Sequence, residues 1–354
     1  MKDIFINRKN ELKQLINGLQ QINDYVLIAP RRYGKTSLAL KAIEEFKNNK
    51  DFIVIHLDLM YYSGSTIKNV AEAIIEKCFN ALGLKGRLKN IWHDLSFDLD
   101  VKVKYGDFEL EPMLQLNKKE DEWKLLEYAL NLPEKIALKE KKTVIVFYDE
   151  FGELHTLGDR IIKAFRSVIQ LHKHVSYLFA GSQETVMNEI FTDIKGAFYR
   201  FGTLITLEPL NKKDLYEYVS ISLPELMSGS INLIDELIND LQGHPYYTSE
   251  AIKFFMLNRD KCNTTAYSQY IHNIMYSQAK IMLDPQIQTL KKKQHALDIL
   301  RIIAENENPY DYPIKEQNVY HVLQFLIRDG YIKRIDKGKY RILDPMLNKI
   351  IRFN

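Results

Sequence analysis

Ala29-Pro30-Arg31-Arg32-Tyr33-Gly34-Lys35-Thr36 is the stretch on which the fold turns. It follows a short apolar run, Tyr25-Val26-Leu27-Ile28, that reads as a strand. It precedes Leu38, Ala39, Ala42, Ile43 and Phe46, which recur at helical spacing. A glycine turn between strand and helix aims backbone N–H groups and the positive helix start at phosphate oxygens. In such a loop the lysine reaches the β- and γ-phosphates, and the next Ser or Thr holds Mg²⁺. Gly34, Lys35 and Thr36 fill those last three positions. The first glycine of the pattern is replaced by Ala29, and a methyl group is tolerated there wherever φ stays negative. Pro30, Tyr33 and Ser37 complete the candidate phosphate contacts. Arg31 and Arg32 read either as solvated charges or as contacts to a nucleotide or an acidic partner.

A second segment answers the first. Val144-Ile145-Val146-Phe147-Tyr148 is a continuous apolar run that ends in Asp149-Glu150. Such a run suits a strand buried on both faces of a parallel sheet. Ligands of open parallel sheets gather at the C-terminal strand ends, so this carboxylate pair can meet the phosphate loop. Asp149 is placed to hold Mg²⁺ with Thr36, and Glu150 to polarise an attacking water as general base.

The remaining pattern is strand and helix in alternation, which predicts an α/β fold with a parallel sheet. Helices are expected over Glu11–Leu19, from about Ile67 to Leu82, and over Glu122–Leu130. Further strands are expected at Phe52–Leu59, Val175–Ala180 and Thr203–Leu207. A β-hairpin inserted at about 97–116, turning at Tyr105-Gly106-Asp107, interrupts the alternation. After Pro209 the strands stop. Asn211, with Asp214 three residues on, reads as a helix N-cap, and two or three helices run to about Met282. Helices over Gln294–Glu305 and Glu316–Asp329, followed by a hairpin with Asp336-Lys337-Gly338 at its turn, suggest a winged helix. The expected domains are 1–209 for the nucleotide-binding unit, 210–284 for a helical lid and 285–354 for the winged helix.

These motifs resemble those of the archaeal-type ATPases, a branch of the AAA+/STAND P-loop NTPases. Phe5-Ile6-Asn7-Arg8-Lys9-Asn10-Glu11-Leu12 is similar to the family's opening, with Asn7 in place of its glycine. Ala29 through Leu38 is similar to its phosphate loop. Ala180-Gly181-Ser182-Gln183 resembles its sensor-1 segment, which implies Ser182 and Gln183 near the γ-phosphate. Phe198-Tyr199-Arg200-Phe201 resembles the segment that carries an arginine finger or sensor, which implies that role for Arg200. Gly243-His244-Pro245 resembles the lid turn whose proline packs on adenine, and it also reads as a helix C-cap glycine followed by a helix-starting proline. The implied cofactors are ATP or ADP and Mg²⁺, and the implied activity is ATP hydrolysis driving movement of the lid and winged helix. Two rivals stand beside it: a scaffold that retains ADP with little turnover, and a DNA-associated ATPase that uses the winged helix.

Composition narrows the partners. Lysine and arginine number 49 against 46 acids in 354 residues, a formal charge of +3 that announces no nucleic-acid binder. The wing carries Lys333, Arg334, Lys337, Lys339 and Arg341. The candidate recognition helix, with Val319, Val322, Leu323, Leu326 and Ile327 on its buried face, offers only Arg328 as a firm cation. A packing or regulatory role is therefore favoured over DNA reading. A protein partner and self-association are both compatible with the sequence. No window reaches the roughly 18 apolar residues of a membrane span. Two distant cysteines, Cys78 and Cys262, suit a reduced, cytoplasmic setting. His155, His172 and His174 match no common zinc spacing.

Overall fold

The structure, a computed structural model, describes residue 6 and residues 8–83, 103–105, 108–110, 119–224, 233–259 and 263–353. Through the first half the elements are α1 (Lys9–Gln20), β1 (Tyr25–Ile28), α2 (Lys35–Lys47), β2 (Phe52–Asp58), α3 (Ile67–Ala81), β3 (Val103–Tyr105), β4 (Phe108–Leu110) and α4 (Lys119–Glu140). Then come β5 (Thr143–Asp149), α5 (Asp159–Ile169), β6 (Val175–Gly181), α6 (Glu184–Phe191) and β7 (Thr203–Thr206). The remainder is mostly helical: α7 (Lys212–Ser222), α8 (Leu233–Leu241), α9 (Pro245–Leu257), α10 (Thr264–Gln269), α11 (Tyr276–Lys292), α12 (Ala296–Ala304) and α13 (Glu316–Arg328). A hairpin of β8 (Ile332–Asp336) and β9 (Lys339–Ile342) and a last helix, α14 (Pro345–Phe353), complete it.

Five strands form a sheet in the order β2-β5-β6-β1-β7, and every pairing is parallel. The inner strands β1 and β5 show why their sequences are apolar without a break. Val144, Val146 and Tyr148 face one core with α3, α4, α5 and α6, while Ile145 and Phe147 face the other with α1 and α2. Val26 and Ile28 likewise part from Tyr25 and Leu27. Successive side chains point to opposite faces, so a sheet covered on both sides must be apolar at each position.

Asn211 caps α7 as expected, its side chain accepting from the Asp214 N–H at 2.9 Å. Pro245 stands at the start of α9. Of the expected hairpin at 97–116, Val103–Tyr105 and Phe108–Leu110 pair antiparallel, and the rest lies outside the described residues.

Two expectations need correction. The helix expected over Glu122–Leu130 runs from Lys119 to Glu140, through Pro133. Buried Leu132, Ile136 and Ala137 in its second half pack into the core beside α3, and that burial outweighs the one backbone bond a proline removes. Among the described residues between Lys212 and Lys292 there are five helices, not two or three, and a wide π-helical turn at Tyr270–Met275 joins α10 to α11. A third core runs without interruption from Leu210 in this region to Ile351 in α14.

Candidate functional site

The phosphate loop leaves the C-terminal end of β1. Gly34 turns the chain into α2 with φ 85°, and a Cβ there would meet no atom within 4 Å, so the position selects glycine by backbone conformation alone. Arg32 also has positive φ, 65°. Ala29 does not, and this is why its methyl group fits where the pattern has glycine. Lys35 is buried, and its ammonium donates to the Ala29 carbonyl at 2.8 Å and the Pro30 carbonyl at 3.0 Å. Burial lowers its pKa, while the nearby Glu150 and Asp149 carboxylates push it back up.

The acidic pair leaves the end of β5, one strand beyond β6. Asp149 is buried, and its Oδ2 accepts from the Thr36 hydroxyl at 2.7 Å, joining the end of β5 to the helix after β1 past the intervening β6. Desolvation raises its pKa and the Thr36 hydrogen bond opposes that. Glu150 is left-handed, φ 48° and ψ 45°, which bends the chain into the 3₁₀ turn Phe151–Leu157. That bend lets Glu150 Oε2 accept from both the N–H and the hydroxyl of Ser182, each at 2.8 Å. Non-glycine residues in this conformation cost on the order of 1–3 kcal/mol and cluster at functional sites. Asp58, in register with Asp149 at the end of β2, is a further carboxylate at this edge. Its isolated position in the sequence gave no signal.

The helical region closes over the loop. Tyr33 meets the His244 ring edge-on at 5.0 Å, and the Arg32 guanidinium lies 5.3 Å from the centre of the Tyr246 ring. His244 is 3% exposed with Nδ1 unpartnered, and burial pushes its pKa down to about 4, so the ring is neutral. Tyr247 donates to Asp344 Oδ2 at 3.0 Å, which ties α9 to the turn before α14. Pro245 lines a cavity of about 250 Å³ together with Ile6, Arg8, Gly34, Ser37 and Leu210. Arg8 donates to the Glu208 carbonyl and pairs with Glu11 at 3.3 Å. Of the opening motif, Phe5 and Asn7 lie outside the described residues. A larger cavity of about 450 Å³ lies between the Pro30–Tyr33 segment, Ser182, Gln183 and the α13–β8 connection.

Arg200 is not brought to this edge. It is exposed with φ 56°, three residues before Thr203, which pairs with Tyr25 at the start of β1. The phosphate loop follows Ile28 at the other end of that strand, roughly 10 Å away along the chain direction. His172 bonds the Tyr177 hydroxyl and His174 bonds Glu134. Among the described residues no group of three metal-ligating side chains is found. No described helix is long and apolar enough to cross a membrane.

A glycine turn feeding a helix, a lysine folded into it, and a Thr–Asp pair joining the ends of β1 and β5 on either side of β6 together define a P-loop nucleotide-binding protein. The family model for an ATPase domain predominantly from Archaea matches residues 5–251, and the chain belongs to this archaeal-type ATPase family. Over 204 residues it is 26% identical to an uncharacterized ATP-binding protein of Methanocaldococcus jannaschii. The match takes in 52% of this chain and 51% of that one, so the chain spans about half the length of that curated relative. The Walker-type ATPase PABY2304 of Pyrococcus abyssi superposes with a TM-score of 0.71 at 17% identity, covering 99% of this chain and 96% of its own. The ORC2 protein of Aeropyrum pernix, solved in ADPNP-ADP complexes, gives 0.53 at 13% identity, over 99% and 93%. At these identities the likeness is one of fold.

Proposed function

We propose that the protein is a Mg²⁺-dependent ATP-hydrolysing switch. The observation that carries this reading is the convergence of Lys35, Thr36, Asp149 and Glu150 at one edge of the sheet, with Thr36 and Asp149 in direct contact. These residues fit the group. A hydroxyl and a carboxylate are the hard oxygen donors that Mg²⁺ takes, and the left-handed Gly34 frees the loop N–H groups to face phosphate. Bound metal would supply charge neutralisation between phosphate oxygens. Lys35 would exchange its two carbonyl partners for phosphate oxygens. Glu150 would leave Ser182 and take the proton of an attacking water. The cavity beside Pro245 and Ile6 suits the adenine, so Tyr246 and His244 would report nucleotide binding to the lid.

In this reading residues 1–209 form the nucleotide domain, 210–284 the lid and 285–354 a winged helix. Arg200, on the far edge of its own sheet, would serve the site of a neighbouring copy. The double hydrogen bond from Ser182 to Glu150 favours a slow resting state, which keeps a nucleotide-holding scaffold as the second reading.

The test is Glu150→Gln. ATP affinity should be retained while turnover falls by roughly 100-fold or more. A wild type that binds ATP and never turns it over removes the hydrolysis reading in favour of the scaffold.

A further inference from the structure

Glu153 lies in the turn after β5 and is 6% exposed, an expensive place for a carboxylate. Its two oxygens are both used. Oε1 accepts from the Gln183 side-chain amide at 2.6 Å, and Oε2 accepts from the Ser63 hydroxyl at 2.7 Å. Ser63 follows β2 and Gln183 follows β6, so one side chain links the C-terminal ends of three neighbouring strands, β2, β5 and β6. The Thr156 hydroxyl braces the same turn, donating to the Glu153 carbonyl at 2.7 Å and accepting from the Gly64 N–H at 3.0 Å.

Gln183 is the N-cap of α6, yet its side chain makes no capping bond. It lines the cavity of about 450 Å³ shared by Ser182 and the Pro30–Tyr33 segment. An amide can present either end to a neighbour, but an ionised carboxylate only accepts. Glu153 therefore fixes which end of Gln183 is held, and the carbonyl oxygen is the end left over.

We propose that Glu153 is a positioning residue: it orients the Gln183 amide so that its carbonyl oxygen serves as a fixed acceptor for the attacking water beside Glu150. This rests on the hydrolysis reading above. Glu153 acts only through Gln183 and touches no substrate.

The test is a double-mutant cycle on the full chain. Glu153→Leu fills the site without a buried charge, and Gln183→Ala removes the oriented group. Each should lower kcat by between about 10- and 100-fold with KM for ATP and ADP affinity within about twofold. The double variant should be no slower than Gln183→Ala alone. Glu153→Gln should recover most of the rate, because its amide oxygen still accepts from Gln183 while the Ser63 hydroxyl rotates to accept its NH₂. Multiplying losses in the double variant, or a rate loss matched by lost ADP affinity, overturns the proposal while leaving hydrolysis intact. A second readout uses unaltered protein labelled with ¹⁵N-glutamine. The Gln183 side-chain amide, assigned by its disappearance in Gln183→Ala, should be shifted downfield and slow to exchange. A solvent-like amide overturns the proposal even if no variant turns over ATP, whereas a wild type without turnover refutes the hydrolysis reading itself.

Discussion

Asp24 sits just ahead of β1, where its Oδ1 accepts the Tyr177 N–H at 2.8 Å. Desolvation pushes its carboxyl up to about 7 from 3.8, against the pull of that hydrogen bond and of Arg166. A folded-state value above the unfolded one means that the native protein binds the extra proton, so ionising Asp24 opposes folding as pH rises. Asp24→Asn keeps the acceptor and drops the charge. Its gain in melting temperature should be nil below about pH 4, grow between pH 4 and 7, and level off above. A pH-independent change would mean that the carboxylate is paid no desolvation penalty. The same scale separates what the sequence discloses from what it hides. Asp149 and Glu150 stand out because they end a run of apolar residues. Glu153, three positions on, looks like any solvated acid of a turn, and only the fold brings Ser63 and Gln183 to it. Arg200 enters the site by resemblance alone; it precedes β7, and because β7 runs parallel to β1 it stands at the opposite end of the sheet from the phosphate loop.

At the scale of elements, caps and strand ends were read to within a residue or two because their chemistry is local: Asn211 on α7, Pro245 on α9, the turn before β9. The expected α4 stops at Leu130, short of Pro133, and the core beside α3 that carries the helix on to Glu140 is made of distant residues. The joint between α8 and α9 is the most constrained of these. Gly243 has φ 67°, its carbonyl accepts from the Leu210 N–H at 2.8 Å, and a Cβ would stand 2.2 Å from the Leu210 carbonyl oxygen. Gly243→Ala combines left-handed strain of about 1–2 kcal/mol with a backbone clash that no rotamer relieves. It should lower stability in chemical denaturation by at least about 2 kcal/mol. It should also weaken ATP binding, since Pro245 and Leu210 line the same cavity. A neutral effect on both would show that the lid turn is free to move.

Over the whole molecule, the helices after Leu210 and the C-terminal hairpin share one core, so packing draws no boundary between the proposed lid and the proposed winged helix. Leu283 in α11 is fully buried in that core. Leu283→Ala should cost about 2–5 kcal/mol. Trp123 packs against the core around the parallel sheet, so its fluorescence follows that core. The midpoint by circular dichroism should fall while the tryptophan transition holds. Parallel loss of both would make the chain a single cooperative unit.

Strand order also sets a schedule. β1 lies between β6 and β7, strands translated long after it. At about 5–20 residues per second a ribosome takes on the order of ten seconds or more to travel from Ile28 to Thr206. Until Gly181 is made Tyr25–Ile28 has neither neighbour, and β7 comes later still, while β2 and β5 can already zip together once Asp149 has emerged. The phosphate loop is thus made well before the strands that flank its own and is among the last parts of the sheet edge to acquire its shape, and the nascent chain carries an apolar, two-edged strand that a holding chaperone would recognise.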